Sequence, residues 1–179
     1  MQTKEFLDLV WSDQGYYCVV SKDQQDNVTP IFLNTVDDAI AKVNVLLKNK
    51  LDVYYTCSTW VENTDRKAKN AREQKIFWLD IDCGFDAKKR RYKDYKTKED
   101  AMVALRKFTD ATKLPAPMVV DSGNGLHCYW PFVDPVAPAV WKPIAQGLKF
   151  LCVKHGFKSD SVCTSDISRI LRVPGTKNF

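Results

Sequence analysis

Two carboxylates stand two residues apart in the run FWLDIDCG, residues 77–84, which otherwise has the composition of a buried strand. Side chains alternate along a strand, so Asp80 and Asp82 point to the same face, about 6 to 7 Å apart. Two acids at that spacing repel each other, and a metal ion, an arginine or water at the strand end could balance them. Magnesium and manganese prefer carboxylate oxygens, and two aspartates can bridge two such ions. Asp80 and Asp82 are therefore candidate catalytic metal ligands.

A second motif, VDSGNGLHCYW at residues 120–130, combines a glycine-rich turn with a histidine. Two glycines two residues apart predict a tight turn that brings backbone N–H groups close to a ligand. His127 follows on the next strand, on the same face as Tyr129, and could hold a triphosphate oxygen. The alternative is an ordinary hairpin with a surface histidine. The candidate nucleotide-binding residues of this motif are Ser122, Gly123, Asn124, Gly125 and His127.

A third segment, KSDSVCTSDISRILRVPGTKN at residues 158–178, concentrates basic residues near a predicted strand. Arg169 and Arg172 flank the start of this strand, and Lys177 follows a Pro-Gly turn. The arginine fork matches phosphate oxygens, so these three residues are candidate triphosphate ligands.

The same segment offers one more carboxylate for the metal pair, at Asp160 or at Asp166. A purely structural alternative exists for the second of these, since Asp166 could cap the turn and pair with Arg169. The residues alone leave the choice open.

A local basic cluster accounts for the net charge of +5. Residues 86–98, DAKKRRYKDYKTK, contain seven lysines or arginines and two aspartates, so the rest of the chain is close to neutral. A cluster of this kind favours contact with a polyanion, whereas the alternative is a solvated loop with no partner. The candidate nucleic-acid-binding residues are Lys88, Lys89, Arg90, Arg91, Tyr92 and Lys93.

Length and cysteine usage set the class of protein. The 179 residues suit one domain with a hydrophobic core, or two small modules packed together. None of the six cysteines forms a C-x-x-C pair, so we expect buried free thiols in a reducing cytosol and no zinc site. No apolar run approaches the roughly 20 residues that span a bilayer, and the N-terminus lacks a signal-peptide pattern. The sequence predicts an intracellular protein without a membrane partner.

Hydrophobic periodicity and capping patterns predict an α+β fold. A small N-terminal αβ unit, residues 1–62, is expected to pack on an RRM-like βαββαβ catalytic module, residues 75–179. The strand that carries Asp80 and Asp82 is expected at the centre of the sheet. The predicted strands are 15–21, 29–33, 51–60, 75–82, 117–123, 126–132 and 169–174. The predicted helices are 35–50, beginning at Thr35, 97–112, beginning at Thr97, and 138–155.

Together the three motifs and the basic loop contain the groups needed for nucleotidyl transfer. Acids would bind metal, the glycine–histidine turn and the arginines would bind a triphosphate, and the basic loop would contact a nucleic-acid backbone. The reaction would be a metal-aligned attack of a 3′-hydroxyl on an α-phosphate, catalysed by positioning and charge neutralisation.

From about Lys75 to Asn178, the order D-x-D, S-G-x-G-x-H and D…R-x-x-R-x-P-G-T resembles the catalytic core of the archaeo-eukaryotic primase superfamily, and especially its phage- and plasmid-encoded primase-polymerases. The resemblance implies that Asp80 and Asp82 bind the catalytic magnesium or manganese ions and that His127 contacts the nucleotide phosphates. It favours Asp160 as the third acid, because Asp160 lies about a dozen residues before Arg172 and is followed by Thr164. Asp166 is the second choice. The triphosphate-binding basic residues that it implies are Arg169, Arg172 and Lys177.

The same resemblance implies a template-directed DNA primase-polymerase that uses dNTPs or NTPs on a DNA template and primer. It implies a cytoplasmic location in a bacterial or archaeal host of a phage or plasmid. The chain lacks the zinc element that the family often carries. It is expected to be an N-terminal fragment of a longer protein, with a helicase domain following.

A non-catalytic RRM-like module that binds single strands is the main alternative. It does not require the paired aspartates, and an RNP-type aromatic run is absent from the sequence. A rolling-circle endonuclease would need a His-x-His pair, whereas the two histidines, His127 and His155, are far apart. A D-x-D glycosyltransferase would leave the glycine–histidine turn and the arginines unexplained.

Overall fold

The structure, a computed structural model, describes residues 2–177 and 179. Met1 and Asn178, where the resemblance ends, lie outside the described residues. The chain divides into two compact units, which we describe separately. The first unit comprises residues 2–76, Pro131–Trp141 and Ile167–Phe179, and the second comprises Phe77–Trp130 and Lys142–Asp166.

Four α-helices separate groups of strands along the described part of the chain. The helices are α1 (Thr3–Val10), α2 (Val36–Lys48), α3 (Lys98–Thr112) and α4 (Pro138–Lys154). The strands are β1 (Tyr17–Lys22), β2 (Val28–Leu33), β3 (Asp52–Thr56), β4 (Ser58–Trp60), β5 (Ala71–Asp82), β6 (Phe85–Asp86), β7 (Arg91–Tyr92), β8 (Met118–Asp121), β9 (Gly125–Val136) and β10 (Ile170–Arg172). Short 3-10 turns lie at Ala68–Asn70 and Cys163–Ser165.

The first unit is built on an antiparallel sheet with the strand order β10-β3-β1-β2. Aromatic side chains pack on this sheet from α1 and the residues after it. Phe6 meets the ring of Tyr55 edge to face at 5.4 Å, and the indole of Trp11 donates a hydrogen bond to the Thr56 carbonyl. Both Phe6 and Tyr55 are fully buried, so this helix is held by burial of one apolar side.

The second unit contains the half of β5 that bears the two aspartates. There β5 lies beside β9, and β9 pairs antiparallel with β8, with His127 opposite Val120. Leu79 and Ile81 of β5 point into a hydrophobic core shared with α3 and α4. The other buried members of this core are Cys83, Ala101, Leu105, Phe108, Leu126, Cys128, Trp130, Leu148, Cys152 and Phe157.

Both predicted threonine caps are confirmed. The hydroxyl of Thr35 accepts the N–H of Asp38 at the start of α2, and the hydroxyl of Thr97 accepts the N–H of Asp100 at the start of α3, each at 3.0 Å. These bonds satisfy a backbone donor that the first turn of a helix leaves unpaired, which fixes where each helix begins.

The predicted α+β class is confirmed, and β5 has β4 on one edge and β9 on the other, as its predicted central place requires. The last strand has a different partner from the one expected. Instead of completing a βαββαβ sheet, β10 pairs with β3, with Leu171 opposite Tyr55. The flanking bonds from Cys57 N–H to the Arg169 carbonyl and from Val173 N–H to the Val53 carbonyl extend this ladder. β10 thus satisfies backbone groups that an edge strand would leave unpaired.

All six cysteines are buried free thiols. Among the residues that the structure describes, no helix combines the length and apolar character needed to cross a membrane.

Candidate active site

The two aspartates of β5 lie in different surroundings at the end of the strand. Asp80 is half-buried, with 21% of its side chain exposed, whereas the side chain of Asp82, the last residue of the strand, is 58% exposed. Trp78 precedes them on the same face and is fully buried, with its indole N–H donating to the Cys163 carbonyl at 3.1 Å. The strand therefore passes from a covered region to solvent over four residues.

Asp160 lies directly beside Asp80. Its backbone N–H donates to the Asp80 carbonyl at 2.8 Å, and its carboxylate Oδ1 accepts the N–H groups of Val162 and Cys163 at 3.0 and 3.1 Å. The hydroxyl of Thr164 donates to the Asp160 carbonyl at 3.1 Å. These bonds fix the carboxylate at the start of a 3-10 turn, where a short polar side chain caps the chain.

One group of potential metal ligands is formed here. Ligand atoms of Asp80, Asp160 and Cys163 all lie within 4.8 Å of one another. In the part of the chain that the structure describes, neither Asp82 nor Asp166 belongs to this group. Two carboxylates held together in a half-buried place form a donor set that suits a hard divalent cation such as magnesium or manganese. The thiol of Cys163 adds a softer ligand that the sequence patterns did not single out.

His127 also lies beside Asp80 and is almost completely buried. Its Nε2 is 3.6 Å from Asp80 Oδ1, and its Nδ1 shares a 3.1 Å hydrogen bond with the hydroxyl of Tyr129, which is fully buried. When the phenol donates to Nδ1, the ring proton is on Nε2 and faces Asp80. Tyr129 thus orients the imidazole. Its place two residues after His127 on one strand face is the sequence signal for this contact.

The predicted glycine-rich turn is tied to the end of β5. The N–H of Cys83 donates to the Asn124 carbonyl at 2.9 Å. A side chain could not replace the hydrogen of Gly125, because a Cβ atom there would lie 2.0 Å from the Ile81 carbonyl oxygen. The glycine at position 125 therefore permits the close approach of the two strands.

Asp121 holds the other end of this turn. Its Oδ1 accepts a hydrogen bond from the N–H of Gly123 at 2.7 Å. Both carboxylate oxygens accept hydrogen bonds from the ammonium of Lys98, at 2.7 and 2.8 Å. The hydrogen bonds from Lys98 and from Gly123 lower the pKa of Asp121 below its usual value. Gly123 itself has a φ of +93°, a conformation that favours glycine.

The basic loop returns to the acids through residues 93–95. Lys93 N–H donates to the Gly84 carbonyl at 3.0 Å, Gly84 N–H to the Tyr95 carbonyl at 2.9 Å, and Tyr95 N–H to the Asp82 carbonyl at 3.2 Å. The ammonium of Lys93 lies 3.1 Å from Asp82 Oδ1. The loop is therefore fixed at its base to the strand end that carries Asp82.

Asp94 is a further acid at this place. Its carboxylate accepts the backbone N–H of Asp82 at 3.2 Å. Burial raises the pKa of Asp94, and the nearby charges of Asp82 and Asp160 raise it further. Sequence reasoning missed this residue, because one aspartate within a run of lysines and arginines has no distinguishing pattern.

The predicted basic triphosphate ligands Arg169, Arg172 and Lys177 belong to the first unit, not to the second unit with the acids. The guanidinium of Arg172 lies over the ring of Tyr54 and donates to the Tyr54 hydroxyl at 2.9 Å. It also donates to Asp52 Oδ1 and to the Lys177 carbonyl, each at 3.1 Å. These bonds join β10 and the residues after it to β3.

The chain was compared with known proteins. No family model matches it, and no curated protein matches it by sequence. The AEP domain of the cyanophage S-2L primase-polymerase (PrimPol) matches with a TM-score of 0.55 and 17% identity, over 89% of this chain and 72% of that one. The primase RepB′ matches with a TM-score of 0.57 and 14% identity, over 99% of this chain and 51% of that one.

A further structure, the catalytic domain of RepB′ in complex with initiator DNA, matches with a TM-score of 0.56 and 14% identity, over 99% of this chain and 79% of that one. At these identities the likeness establishes the fold. The chain has the fold of primase catalytic domains, which confirms the predicted resemblance at the level of structure. It spans about half the length of the RepB′ chain in one structure and about four-fifths in the other.

Proposed function

We propose that the protein is a primase-type nucleotidyltransferase, and more narrowly a template-directed DNA primase-polymerase that adds a dNTP or NTP to a 3′-hydroxyl. One observation carries the proposal. The carboxylates of Asp80 and Asp160 meet beside the buried imidazole of His127, in a chain whose fold is that of primase catalytic domains. Neither acid is required by a fold that only binds nucleic acid.

Asp80, Asp160 and Asp82 are the residues that would hold magnesium or manganese in this reaction. The bound ions would neutralise phosphate charge and activate the attacking hydroxyl. The chain contributes rigid placement of the acids. The Asp160 carboxylate is fixed by two backbone N–H groups. The backbone of Asp82 is fixed by two bonds, since its N–H donates to the Asp94 carboxylate and its carbonyl accepts the N–H of Tyr95. Preorganised ligands of this kind lose little conformational freedom on binding.

The glycine-rich turn and His127 would contact the nucleotide phosphates. The imidazole is held by Tyr129, so a proton on Nε2 would face the half-buried space beside Asp80. In a water-poor site such a donor interacts strongly with a phosphate oxygen. The turn formed by Ser122, Gly123 and Asn124, of which the last two residues are exposed, adjoins the end of β5 through the bond from the Cys83 N–H to the Asn124 carbonyl.

The triphosphate role of Arg169, Arg172 and Lys177 stays a prediction. Arg172 already donates to a carboxylate, a phenol and a carbonyl, so binding phosphate would require it to exchange some of these partners. Arg172→Lys would keep the charge but lose the fork. A rise in KM with unchanged thermal stability would support phosphate binding. A fall in stability without a change in KM would make the residue structural.

Primer extension tests the proposal. A labelled primer on a DNA template is incubated with dNTPs and manganese, using wild type, Asp80→Asn and the control Asp110→Asn, which changes an exposed aspartate of α3. Loss of a metal ligand removes several kcal/mol of transition-state stabilisation, so Asp80→Asn is expected to lower kcat/KM by at least about 100-fold. Asp110→Asn should match wild type. Extension that persists in Asp80→Asn would refute the metal role.

A second pair of variants decides whether Asp160 or Asp166 is the third metal-binding acid. Asp160→Asn retains an oxygen that can accept the N–H groups of the turn but loses the charge, and we expect it to be as inactive as Asp80→Asn. Asp166→Asn is expected to remain active, and the reverse result would move the role to Asp166. A wild-type protein that binds single strands but neither extends primers nor binds dNTP would favour the non-catalytic RRM-like module.

The DNA template and primer, a helicase domain following this chain, and a cytoplasmic location in a bacterial or archaeal host remain predictions. In the matched RepB′ complex the catalytic domain is bound to initiator DNA, which supports DNA as the polymer contacted here.

A further inference from the structure

The basic loop contains a small β-hairpin with two exposed aromatic rings. β6 and β7 pair antiparallel, with Phe85 opposite Tyr92. Their ring centroids are 5.4 Å apart in an edge-to-face arrangement, and the two residues are 57% and 53% exposed. The ammonium of Lys96 lies 5.2 Å from the centre of the Tyr92 ring. Two adjacent aromatic residues so exposed differ from the scattered apolar residues of ordinary surfaces.

Local bonds give the hairpin a defined turn. Asp86 Oδ1 accepts the N–H groups of Lys88 and Lys89 at 3.0 and 3.1 Å, and these bonds lower the pKa of Asp86. Arg90 adopts a left-handed conformation with a φ of 51°. The turn therefore presents its basic side chains to solvent from a folded backbone.

Charge and rings occur together on this hairpin. Between residues 85 and 92 there are four cations and one acid, and all four cations are exposed. A polyanion is the ligand complementary to such a charge, and single-stranded nucleic acid is a polyanion that also exposes flat π-faces. A duplex hides those faces within its base stack. The cations are Lys88, Lys89, Arg90 and Arg91.

We propose that this hairpin is a binding arm for single-stranded nucleic acid, in which Phe85 and Tyr92 stack on unpaired bases while the neighbouring cations contact the phosphates. The arm is rooted at Asp82 through the backbone bonds of Gly84 with Lys93 and Tyr95. An unpaired template strand held on it would lie beside the acids. The inference deepens the proposed function and rests on it for the identity of the strand as template.

Binding measured by fluorescence anisotropy tests the arm without catalysis. The probe is a labelled oligodeoxythymidine of about 16 nucleotides, a length within the site sizes of single-strand-binding folds. A blunt duplex of equal length serves for comparison. All proteins carry Asp80→Asn, so the measurement does not depend on nucleotide transfer. Stacking on one aromatic ring is worth about 1–3 kcal/mol, so Phe85→Ala and Tyr92→Ala should each weaken single-strand binding by about five- to 150-fold.

The control is Phe150→Ala, which removes a ring that is 65% exposed on α4, in the same unit. It should leave binding unchanged, and Tyr92→Phe should retain wild-type affinity because it keeps the ring. Weakening by Tyr92→Leu as well as Tyr92→Ala would show that a π-face, rather than apolar contact, is needed. Binding to the duplex should change little.

The salt dependence of binding distinguishes the contribution of the aromatic rings from that of the charged side chains. Lys88→Gln should lower the slope of log K against log salt by about 0.7 for a phosphate contact with a single strand, whereas Tyr92→Ala should leave the slope unchanged. Equal affinity of Tyr92→Ala and wild type for the oligodeoxythymidine would overturn the proposal, as would equal losses for single strand and duplex. If the proposed catalytic function failed while these differences held, the arm would stand as part of a binding module.

Discussion

Lys93 provides a quantitative test of how the basic loop would affect the proposed metal binding. Its ammonium lies 3.1 Å from Asp82 Oδ1, and the two side chains are 26% and 58% exposed. At this distance two unit charges attract by about 1.3 kcal/mol in water, and exposed ion pairs contribute about 0.2–1 kcal/mol after the loss of side-chain freedom. A divalent cation at Asp82 must share the carboxylate with this ammonium. Lys93→Met should therefore raise the affinity for manganese by about 1.4- to fivefold.

The assay is titration of manganese followed by the electron paramagnetic resonance signal of the free ion. Lys89→Met is the matched control. It removes the same charge from the same loop, but the ammonium of Lys89 pairs with Asp86, at 3.9 Å, instead of with Asp82. It should leave the affinity close to wild type. The difference between the two variants should shrink in about 1 M salt, where charges are screened over about 3 Å.

Two results would contradict a competition between Lys93 and metal for Asp82. Equal affinities for Lys93→Met and Lys89→Met would show that the ion pair with Asp82 does not compete with metal. Weaker binding by Lys93→Met would show that the lysine holds Asp82 in a productive position. Absence of manganese binding by wild type would instead contradict the proposed function itself. The Asp80→Asn variant shows how much manganese binds without this ligand.

Two further predictions concern the glycine-rich turn. Gly125→Ala should lower the free energy of unfolding, measured in urea, by at least about 1–3 kcal/mol. Its Cβ would lie 2.0 Å from the Ile81 carbonyl oxygen, and a backbone atom cannot move away as a side chain can. Gly147 lies in the interior of α4, where an added Cβ would meet no atom within 4 Å apart from the local backbone of its own helix. Gly147→Ala should therefore stabilise the protein by about 0.5–1 kcal/mol, and a loss equal to that of Gly125→Ala would contradict the explanation. Asp121→Asn should lower Tm at neutral pH because it loses the ion pair with Lys98. The folded-state pKa of Asp121 is depressed, so this stability is present above the ordinary value of 3.8, and the difference in Tm between variant and wild type should vanish as the pH falls through the folded-state pKa. A difference that persists in acid would assign the effect to something other than charge.

Helices with explicit start signals could be predicted from the sequence. Thr35 and Thr97 each precede a helical apolar pattern and each cap a helix in the structure. The short helix α1 was missed, because eight residues form a helix in water only when tertiary contacts stabilise it. Those contacts come from the burial of Phe6, Leu7 and Val10, which a local pattern does not reveal.

Strand pairing was harder to predict than strand position. The strand near residues 169–174 forms where expected, as β10, but its partner is β3, more than a hundred residues earlier. Alternation of side chains specifies the faces of a strand, whereas its neighbour depends on which edge remains unpaired after the other strands have formed.

The surroundings of Asp80 and Asp82 likewise could not be predicted from local sequence patterns. The D-x-D spacing predicted that Asp80 and Asp82 share a face, but not that one would be half-buried and the other exposed. The loop residues Lys93 and Asp94 reach Asp82 only because residues 93–95 form backbone bonds with residues 82–84. Such a return depends on long-range closure of the loop and leaves no periodic signal in the sequence.

Asp80 and Asp82 have different positively charged or protonatable partners. Asp82 has the ammonium of Lys93 at 3.1 Å, on a loop whose four cations at residues 88–91 are exposed. Asp80 has the imidazole of His127 at 3.6 Å, which is buried and can carry a charge only by taking up a proton. A flexible lysine can leave its carboxylate at small cost, whereas the imidazole is held by Tyr129. Under the proposed function, metal bound at Asp82 would therefore depend on the position of the basic loop and of any strand bound to it, whereas Asp80 and Asp160 would keep their places.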